Sequence, residues 1–434
     1  MSSQQLQGDT KLRKKTFSVL TAAFGLALAA CGSSASSSTA SNSSSSLPPA
    51  PSQITVGTTY SGSGSFATSS IPELDGLKFW IKYENAKGGV YVGAYKKRIP
   101  VKLVAYNDLS SATTAATQYN QLLTQDKVNI FVSDFGSVLT APAVSLAEAH
   151  KVVLFDQSGT GIPFFSPQNK YIVLADLPVS SIWPNVLAKF LISKQIKNLA
   201  VLYGTNDFDA SQATTLKTIL AQNGINISYY QGVPSSTTSF GTLLQTIAQS
   251  KPDALLEFGY AANDAPFLQN VQSSGMHFKM VFTVFPGQLL GLFQQQVGTA
   301  GLSYTYTYGT NFYVNYPTVS EGLNSSQFAT QFAAAFPGEL NSLSLDGYNT
   351  GLVIQASLKY AKSLSQSDIR AGAAAASGHL NTVDGSFVLN SEGAQTGELL
   401  PVAQLFPSGS GVTLKAVYPA SQATGSAVYP APVG

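Results

Sequence analysis

Histidine and cysteine, the side chains that most often carry catalysis or bind transition metals, are scarce in this chain. The 434 residues contain three histidines and one cysteine. His150, His277 and His379 form no pair at metal-ligand spacing, and no recognisable nucleophile motif accompanies them. No Gly-x-Ser-x-Gly elbow presents a serine as a nucleophile. We therefore predict no catalytic residue, no metal ligand and no cofactor, and we keep a Ser/Asp hydrolase as the weakest alternative function.

The single cysteine, Cys31, stands where an export signal would end. A basic cluster within residues 11–15 precedes an uncharged stretch, residues 16–30, that is apolar or small. This stretch is too short to cross a bilayer of about 30 Å as a helix, and its order is that of a signal peptide. Leu28-Ala29-Ala30-Cys31 resembles the bacterial lipobox. We predict a signal peptide over 1–30 and a lipid on Cys31, with a plain signal peptide as the alternative.

The composition after Cys31 separates a tether from a folded region. Residues 31–52 are rich in Ser and Pro and contain too little apolar area to offset the entropy of ordering, which predicts a flexible tether. Without residues 1–30 the acidic and basic residues nearly balance. Nucleic-acid binding needs a concentrated basic surface and is not expected. A lipidated Cys31 leaves no thiol for a disulfide.

From residue 54 onward, short apolar runs alternate with segments of helical periodicity. Strands are predicted at residues 54–60, 99–105, 128–132, 152–155, 199–203, 225–230, 254–258 and 280–285. Three intervening helices are predicted to open at Ser69-Ser70 with Pro72, at Thr140-Ala141-Pro142 and at Pro266, because proline is favoured in a first helical turn. Repeated βα units indicate parallel sheets flanked by helices, and the length suits two lobes. Ligands of such sheets bind beyond the carboxyl ends of the strands.

Several motifs then occur in the order found in one known family. They are ITVGTTYSG from Ile54, DGL from Asp75, YENAKGGV from Tyr83, VKLVAYND from Val101 and GSFVLNSEG from Gly385. With these motifs the chain resembles, over roughly residues 53–406, the branched-chain amino-acid-binding proteins of ABC importers. The resemblance implies the type I periplasmic-binding fold: an α/β protein with two doubly wound lobes of mainly parallel sheets, joined by a multi-strand hinge.

The same resemblance implies a division of the chain. The first lobe comprises residues 53–178 and 308–395, and the second lobe comprises residues 179–307 and 396–420. Residues 421–434 are small and proline-containing. They are expected to form a disordered tail.

In the family, serine and threonine residues after the third and fourth strands hold the carboxylate of the ligand. The matching residues here are Ser137, in the loop 133–137, and Ser158, Gly159 and Thr160, in the loop 156–160. Hydroxyls and backbone N–H groups near helix starts bind an anion without a cationic side chain. The alternative is that Ser137 and Thr160 only cap turns.

Family aromatics that wall the pocket also have counterparts. Phe208 and Tyr260 match the aromatics of the second lobe, and Phe66 lies near that of the first lobe. The alternative for each is ordinary packing.

One element of the family pattern is missing. The acidic residue that binds the ammonium group of an amino acid should follow residues 280–285, where the chain has only Val284, Phe285, Pro286 and Gly287. A buried ammonium group without a counter-charge is costly. Asp134, Asp156, Asp207 or Asp264 could substitute, although loop acids of this kind are expected in solvent or at helix caps. The sequence therefore favours a less polar carboxylate, an amide or an aromatic solute.

Together these features predict a solute-binding lipoprotein on the outer face of the bacterial cytoplasmic membrane. It would capture a small molecule between the lobes by hinge closure and pass it to an ABC permease. We expect a monomer held to the membrane by its lipid. A sensor domain that signals through a membrane receptor is the alternative, and neighbouring genes would separate the two.

Overall fold

The computed structural model describes residues 47–310 and 319–432. The predicted signal peptide, Cys31 and most of the tether lie outside these residues. No helix in the described part combines the length and apolar character needed to cross a membrane. The first elements are β1 (Ile54–Tyr60), α1 (Ala67–Asn85), β2 (Val90–Val92), β3 (Lys97–Ile99), β4 (Val101–Asn107), α2 (Ala112–Thr124), β5 (Ile130–Val132), α3 (Gly136–His150), β6 (Leu154–Asp156) and β7 (Ile172–Leu174). Strands β4-β1-β5-β6-β7 form a parallel sheet in that order, and β2 pairs with β3 in a separate hairpin.

The chain then builds a second sheet. Its elements are α4 (Pro184–Ser193), β8 (Asn198–Gly204), α5 (Asp207–Gln222), β9 (Asn226–Val233), α6 (Gly241–Gln249), β10 (Ala254–Phe258), α7 (Ala261–Ser273), β11 (Met280–Phe282), α8 (Leu290–Gln296), α9 (Gly298–Leu302) and β12 (Tyr306–Tyr308). The strands from β8 to β12 pair in parallel. The buried strands are rich in Val, Leu and Phe, as expected where helices cover both faces of a sheet.

After β12 the chain returns to the first sheet and then crosses back. The remaining elements are α10 (Ser325–Ala335), α11 (Ser342–Tyr360), α12 (Gln366–Ala376), β13 (Leu380–Thr382), β14 (Gly385–Phe387), β15 (Val402–Ser408) and β16 (Gly411–Tyr418). Helix α11 packs on α1, whereas β15 and β16 extend the second sheet in antiparallel fashion. The chain therefore passes three times between the part built on the first sheet and the part built on the second sheet. We name these parts the first lobe and the second lobe. The predicted α/β fold with mainly parallel sheets is confirmed.

Helices α1 and α11 cross in close contact because each presents a glycine to the backbone of the other. A Cβ atom at Gly76 would lie 2.0 Å from the carbonyl oxygen of Ser344, and one at Gly347 would lie 1.9 Å from that of Glu73. Neither helix can yield without separating from the other. This crossing fixes the position of α1, which follows the first loop of the candidate site.

Gly347→Ala should therefore destabilise the protein. Inserting a methyl group between two packed backbones costs about 1–3 kcal/mol of unfolding free energy. Gly291→Ala is the matched control, since a Cβ at this helical glycine meets no atom within 4 Å and alanine favours the helix. Urea unfolding followed by circular dichroism measures both variants. Equal stabilities for the two would contradict the close crossing.

The helix starts predicted around three prolines are placed too late in the sequence. Helices α1, α3 and α7 begin at Ala67, Gly136 and Ala261, so Pro72, Pro142 and Pro266 lie inside them. Each proline stands at the sixth or seventh helical position, beyond the first turn in which backbone N–H groups lack helical partners. For α3 this moves the helix start to the loop that carries Ser137.

The predicted disorder of the C-terminal tail is also incorrect for residues 421–432. The backbone of Val428 donates a hydrogen bond of 2.8 Å to Oε1 of Gln404, and its carbonyl accepts bonds from Gln404 Nε2 and Tyr306 Oη. The Ala431 N–H donates to the carbonyl of Lys279 at 2.8 Å. Gln404 is buried and needs such partners. A composition of small residues did not reveal them.

Candidate binding site

Loops from both lobes meet at the carboxyl ends of the central strands. The loops after β1, β5 and β6 belong to the first lobe, and those after β8, β10 and β11 belong to the second lobe. Ring and hydrogen-bond contacts join the two sets. This is the position where doubly wound sheets bind ligands.

The polar half of the site surrounds the N-terminus of α3. The Gly136 N–H donates a hydrogen bond of 3.0 Å to Ser158 Oγ, and the Gly161 N–H donates one of 3.0 Å to Ser137 Oγ. Thr160 is fully buried, and among the described residues its Oγ1 has no hydrogen-bond partner. Amides and hydroxyls at a helix N-terminus form a neutral group suited to an anion.

Glycine is required next to this polar group. A Cβ atom at Gly159 would lie 2.5 Å from Thr140 Oγ1, so the loop can approach α3 only without a side chain there. The Gly159 N–H donates to Asp156 Oδ1 at 2.7 Å. The amide of Gly159 is thus committed within the loop, and its contribution to the site is the close approach.

Tyr260 of the second lobe reaches into the polar group. The Ser137 N–H donates a hydrogen bond of 3.1 Å to Tyr260 Oη. Burial, with Asp209 nearby, raises the pKa of Tyr260 above its ordinary value, so the hydroxyl is neutral. A neutral oxygen therefore occupies the place before the α3 N-terminus where an anionic oxygen would be most favourable.

The apolar half of the site is an aromatic cluster, which we define as Phe66, Phe135, Phe208, Tyr260 and Phe285. Phe66 and Phe135 come from the first lobe and the other three from the second. Ring centroids of contacting pairs are 5.2–6.3 Å apart. Each ring is at most 8% exposed. The aromatic cluster makes the contact between the lobes apolar and specific in shape.

Phe285 stands where the resemblance leads one to expect an acidic residue. Its ring joins the aromatic cluster, while its N–H donates a hydrogen bond of 2.6 Å to Asp264 Oδ2. Asp264 is fully buried, and desolvation raises its pKa to about 6. The loop after β11 therefore presents a phenyl ring to the other lobe, and the Asp264 carboxyl group beside it is bonded within the second lobe.

The substitute acids considered from the sequence are, with one exception, not free to meet a ligand. Asp134 accepts hydrogen bonds from Ser70 Oγ and from the Phe135 N–H, and Asp156 accepts from Ser133 Oγ at 2.9 Å. Both are buried, as is Asp264, so the expectation of solvated or capping positions is wrong for these three. Their hydroxyl and amide partners are distant in sequence or come from the backbone.

Asp207 is the exception, because it is exposed at the start of α5. Its Cβ lies 2.9 Å from the position that a Cβ of Gly161 would occupy, and Ser137 Oγ lies 3.1 Å from the same position. Asp207 is thus the acid of the four that stands at the edge of the polar group.

Buried carboxyl groups also lie beneath the polar group. Gln157 Nε2 is 3.4 Å from Glu73 Oε2, and desolvation raises the pKa of Glu73, which the neighbouring acids raise further. Burial raises the pKa of Asp156 to about 7. These groups are protonated in acid, which lowers the negative charge behind an anion-binding group.

The structure brings the seven predicted residues together. Ser137, Ser158 and Thr160 cluster at the α3 start, with Gly159 in the same loop, and Phe66, Phe208 and Tyr260 form most of the aromatic cluster. Sequence reasoning did not single out Phe135 and Phe285. Phe135 stands in the loop after the strand predicted at residues 128–132, and that position was the available signal. Phe285 was placed inside the strand predicted at residues 280–285, whereas β11 ends at Phe282. Trp183 packs edge-on against Phe208 of the cluster, with 5.0 Å between the two ring centroids.

The sequence of this chain is similar to those of known periplasmic binding proteins. A sequence model of a family described as periplasmic binding protein matches residues 53–410. Leu/Ile/Val-binding protein homolog 7 of Brucella abortus (strain 2308) is 24% identical over 235 residues, which cover 52% of this chain and 57% of the relative. The Leu/Ile/Val-binding protein of Escherichia coli K12 is 20% identical, with 51% and 59% covered. The chain spans somewhat over half the length of these curated relatives.

Solved structures share the fold over most of the chain. A leucine-binding protein, LivK, from Thermotoga maritima superposes with a TM-score of 0.71 at 14% identity, covering 84% of this chain and 98% of that one. LivJ from Streptococcus pneumoniae, in complex with isoleucine, gives 0.69 at 19% identity, with 85% and 100% covered. A solute-binding protein from R. palustris in complex with benzoate gives 0.68 at 14%, with 87% and 98% covered.

Proposed function

Because the chain belongs to the periplasmic binding protein family, we propose that it is an exported lipoprotein that captures a small apolar or aromatic carboxylate and delivers it to an ABC importer. The observation that carries this proposal is the junction of Ser137 and Tyr260. It joins an anion-binding helix start in one lobe to aromatic rings in the other. Closure of the lobes on a solute uses both halves at once.

The carboxylate replaces the Tyr260 hydroxyl at the Ser137 N–H. It also gains the Thr160 hydroxyl, which has no partner among residues 47–310 and 319–432. The rest of the solute packs within the aromatic cluster. The Phe285 ring, in place of an acid, supports a ligand without an ammonium group. The benzoate complex of the relative from R. palustris supports the same solute class.

An amino acid is the second candidate, and Asp207 favours it. This exposed carboxylate stands beside Gly161 and Ser137, within reach of an ammonium group at the edge of the site. Compounds that differ only in the ammonium group separate the two candidates.

A thermal-shift screen of the purified protein tests the solute class. We expect 3-phenylpropanoate, 4-methylpentanoate and benzoate to raise the melting temperature, since a ligand that binds only the folded state stabilises it. Stabilisation by amino acids alone would reject the proposed class.

Incorporation of labelled palmitate, lost in Cys31→Ser, tests the anchor. Loss of solute uptake on gene deletion tests transport against sensing.

A further inference from the structure

A pocket lined by basic side chains lies beside the start of β7, in the first lobe. Lys170 and Tyr171 directly precede β7, and Ser367, Arg370 and Ala371 belong to the first two turns of α12. These five residues line a pocket of about 300 Å³. This volume is at the lower end of the range for small-molecule pockets, about 300–1,000 Å³. Two of the five residues are basic and none is acidic.

The start of α12 is held at the amino ends of the strands by Gln366. Its Oε1 accepts a hydrogen bond of 2.8 Å from the Val153 N–H, and its Nε2 donates one of 2.9 Å to the carbonyl of Asn129. Val153 and Asn129 directly precede β6 and β5, which run parallel to β7. The pocket therefore lies at the opposite end of the first sheet from the site between the lobes, which is formed at the carboxyl ends of the strands.

Arg370 is a partly buried cation without a counter-charge. Its Nε atom is buried and makes no hydrogen bond within residues 47–310 and 319–432, and no ion pair there includes its guanidinium group. Desolvation lowers the pKa of Arg370 from its ordinary value. Arginine nevertheless keeps its charge in proteins. Burying an unpaired charge is costly, and a bound anion would offset that cost.

Two acids stand next to this pocket without lining it. Glu148 Oε2 accepts a hydrogen bond of 2.7 Å from the backbone N–H of Lys170, and Asp368 Oδ2 accepts one from Ser363 Oγ. In the described part of the chain neither acid forms an ion pair with Lys170 or Arg370. Both positive charges of the pocket are therefore available to a ligand.

We propose that Arg370 and Lys170 bind a phosphate group in this pocket. A guanidinium group presents paired N–H donors to two phosphate oxygens, and an ammonium group supplies a second positive charge. Ser367 and Tyr171, which also line the pocket, carry hydroxyl groups. The dipole of α12 favours an anion at its first turns. A phosphate dianion matches the two cations, whereas a carboxylate would neutralise only one of them.

The phosphate group can come from two sources, a free phosphate compound or the head group of a phospholipid. Lys170, Ser367 and Ala371 are exposed, so the pocket is open to solvent and admits either. The chemistry of recognition is the same in both cases. The proposal does not depend on which solute binds between the lobes.

Isothermal titration calorimetry of the purified protein with inorganic phosphate tests the site at about pH 7.5 and low ionic strength. Most of the phosphate then carries two negative charges, and little salt screens the exposed Lys170. We expect one phosphate per chain. Arg370→Gln should weaken the binding at least about tenfold, because charge-assisted hydrogen bonds are lost. Lys170→Gln should weaken it about threefold, since an exposed charge contributes less.

Arg370→Gln should also leave the melting temperature in phosphate-free buffer unchanged or raise it, because the variant removes a partly buried cation that has no partner. A structural arginine would instead stabilise the unliganded fold. Lys170 is exposed, so its variant reports on binding even if Arg370→Gln folds poorly.

Lys102→Gln is the matched control. Lys102 is an exposed lysine of β4, the strand of the first sheet farthest from β7, and it forms no ion pair within the described residues. This variant removes the same charge as Lys170→Gln and should bind phosphate as the wild-type protein does. Absence of phosphate binding by the wild-type protein would overturn the proposal. Wild-type affinity in Arg370→Gln, or equal weakening in Lys102→Gln and Lys170→Gln, would also overturn it.

Dihexanoylphosphatidylglycerol, titrated below its micelle concentration, separates the two sources. Tighter binding than that of inorganic phosphate, lost in Arg370→Gln, supports the pocket as a site for a lipid head group. Weaker binding supports it as a site for a free phosphate compound. Saturating phosphate should leave the affinity for 3-phenylpropanoate unchanged, because the two sites lie at opposite ends of the sheet. Displacement of 3-phenylpropanoate by phosphate would assign the anion to the site between the lobes and overturn the proposal.

Discussion

We expect the protein to be more stable at about pH 4.5 than at about pH 8, the reverse of ordinary acid denaturation. Three buried carboxyl groups of the second lobe, Asp209, Glu257 and Asp264, lie near one another. No ion pair within residues 47–310 and 319–432 involves any of them. Desolvation raises the pKa of all three, and for Asp264 to about 6. The neutral groups are thus favoured by folding.

The sign follows from the direction of these pKa changes. A carboxyl group whose pKa is higher in the folded than in the unfolded chain stabilises the fold fully below the unfolded value, 3.8 for Asp264. This contribution is lost as the pH rises through about 6. For Asp264 alone it amounts to about 3 kcal/mol of unfolding free energy. Glu257 and Asp209 act in the same direction.

The neighbours of these groups explain why a proton is retained. Thr283 Oγ1 donates to Glu257 Oε2 at 3.0 Å, Asn206 Nδ2 donates to Asp209 Oδ2 at 2.6 Å, and the Phe285 N–H donates to Asp264. These donors are neutral, and they offset part of the desolvation cost only. Glu257 and Asp264 lie next to each other, and the negative charge of one raises the pKa of the other. One of the two therefore retains a proton to a higher pH than an isolated carboxyl group would.

Glu257→Gln tests this prediction directly, because glutamine reproduces a protonated glutamate that cannot ionise. Urea unfolding should give the variant a higher free energy of unfolding than the wild-type protein at about pH 8, and nearly the same value at about pH 4.5. Asp253→Asn is the control: Lys279 lowers the pKa of Asp253, and this exposed pair contributes little. A wild-type stability that is equal or greater at pH 8 would contradict the account.

Thr160→Val should weaken the binding of 3-phenylpropanoate roughly tenfold while leaving the stability of the protein unchanged or slightly higher. The Thr160 hydroxyl is buried and lacks a partner among the described residues, so its removal costs the unliganded fold nothing. A hydrogen bond to a carboxylate is lost in the complex. Combining it with Ser137→Ala should cost about 2–4 kcal/mol of binding free energy.

Ser145→Ala is the control for these variants, since Ser145 lies on the exposed face of α3, the helix that also carries Ser137, and its Oγ donates a hydrogen bond to the Ala141 carbonyl of that helix. Calorimetry should give the wild-type affinity for it. If Thr160→Val instead lowers the melting temperature and keeps the affinity, Thr160 is a packing residue and the carboxylate assignment fails.

The fold was predictable because apolar periodicity is local. Strands β1 and β10 lie at the predicted residues, and the loops after them were identified as ligand positions. The helix starts were not predictable, because a proline that is compatible with a first helical turn does not show whether another turn of helix precedes it. Helix α3 begins at Gly136, whose φ of +71° is a backbone conformation that glycine adopts more readily than any other residue.

The site was predictable only in part, for a physical reason. Ser137 and Thr160 occupy loops whose place is set by strand order, and Phe208 and Tyr260 likewise. Which rings touch, and which carboxyl groups lose water, depends on packing between elements more than a hundred residues apart, such as Phe135 with Phe285 at 6.0 Å. The buried acids therefore stood in the sequence as ordinary loop residues.

The central claim is that the site between the lobes binds the carboxylate of an apolar solute, and that the aromatic cluster, with the Phe285 ring in place of an acid, offers no partner for an ammonium group. Calorimetric titration with 3-phenylpropanoate against phenylalanine, and with 4-methylpentanoate against leucine, tests it most directly. Within each pair the two compounds differ in the ammonium group alone. The account predicts that each acid binds at least about tenfold more tightly than its amino acid, because an unpaired ammonium group loses its hydration. Tighter binding of phenylalanine or leucine would contradict it and assign the ammonium group to Asp207.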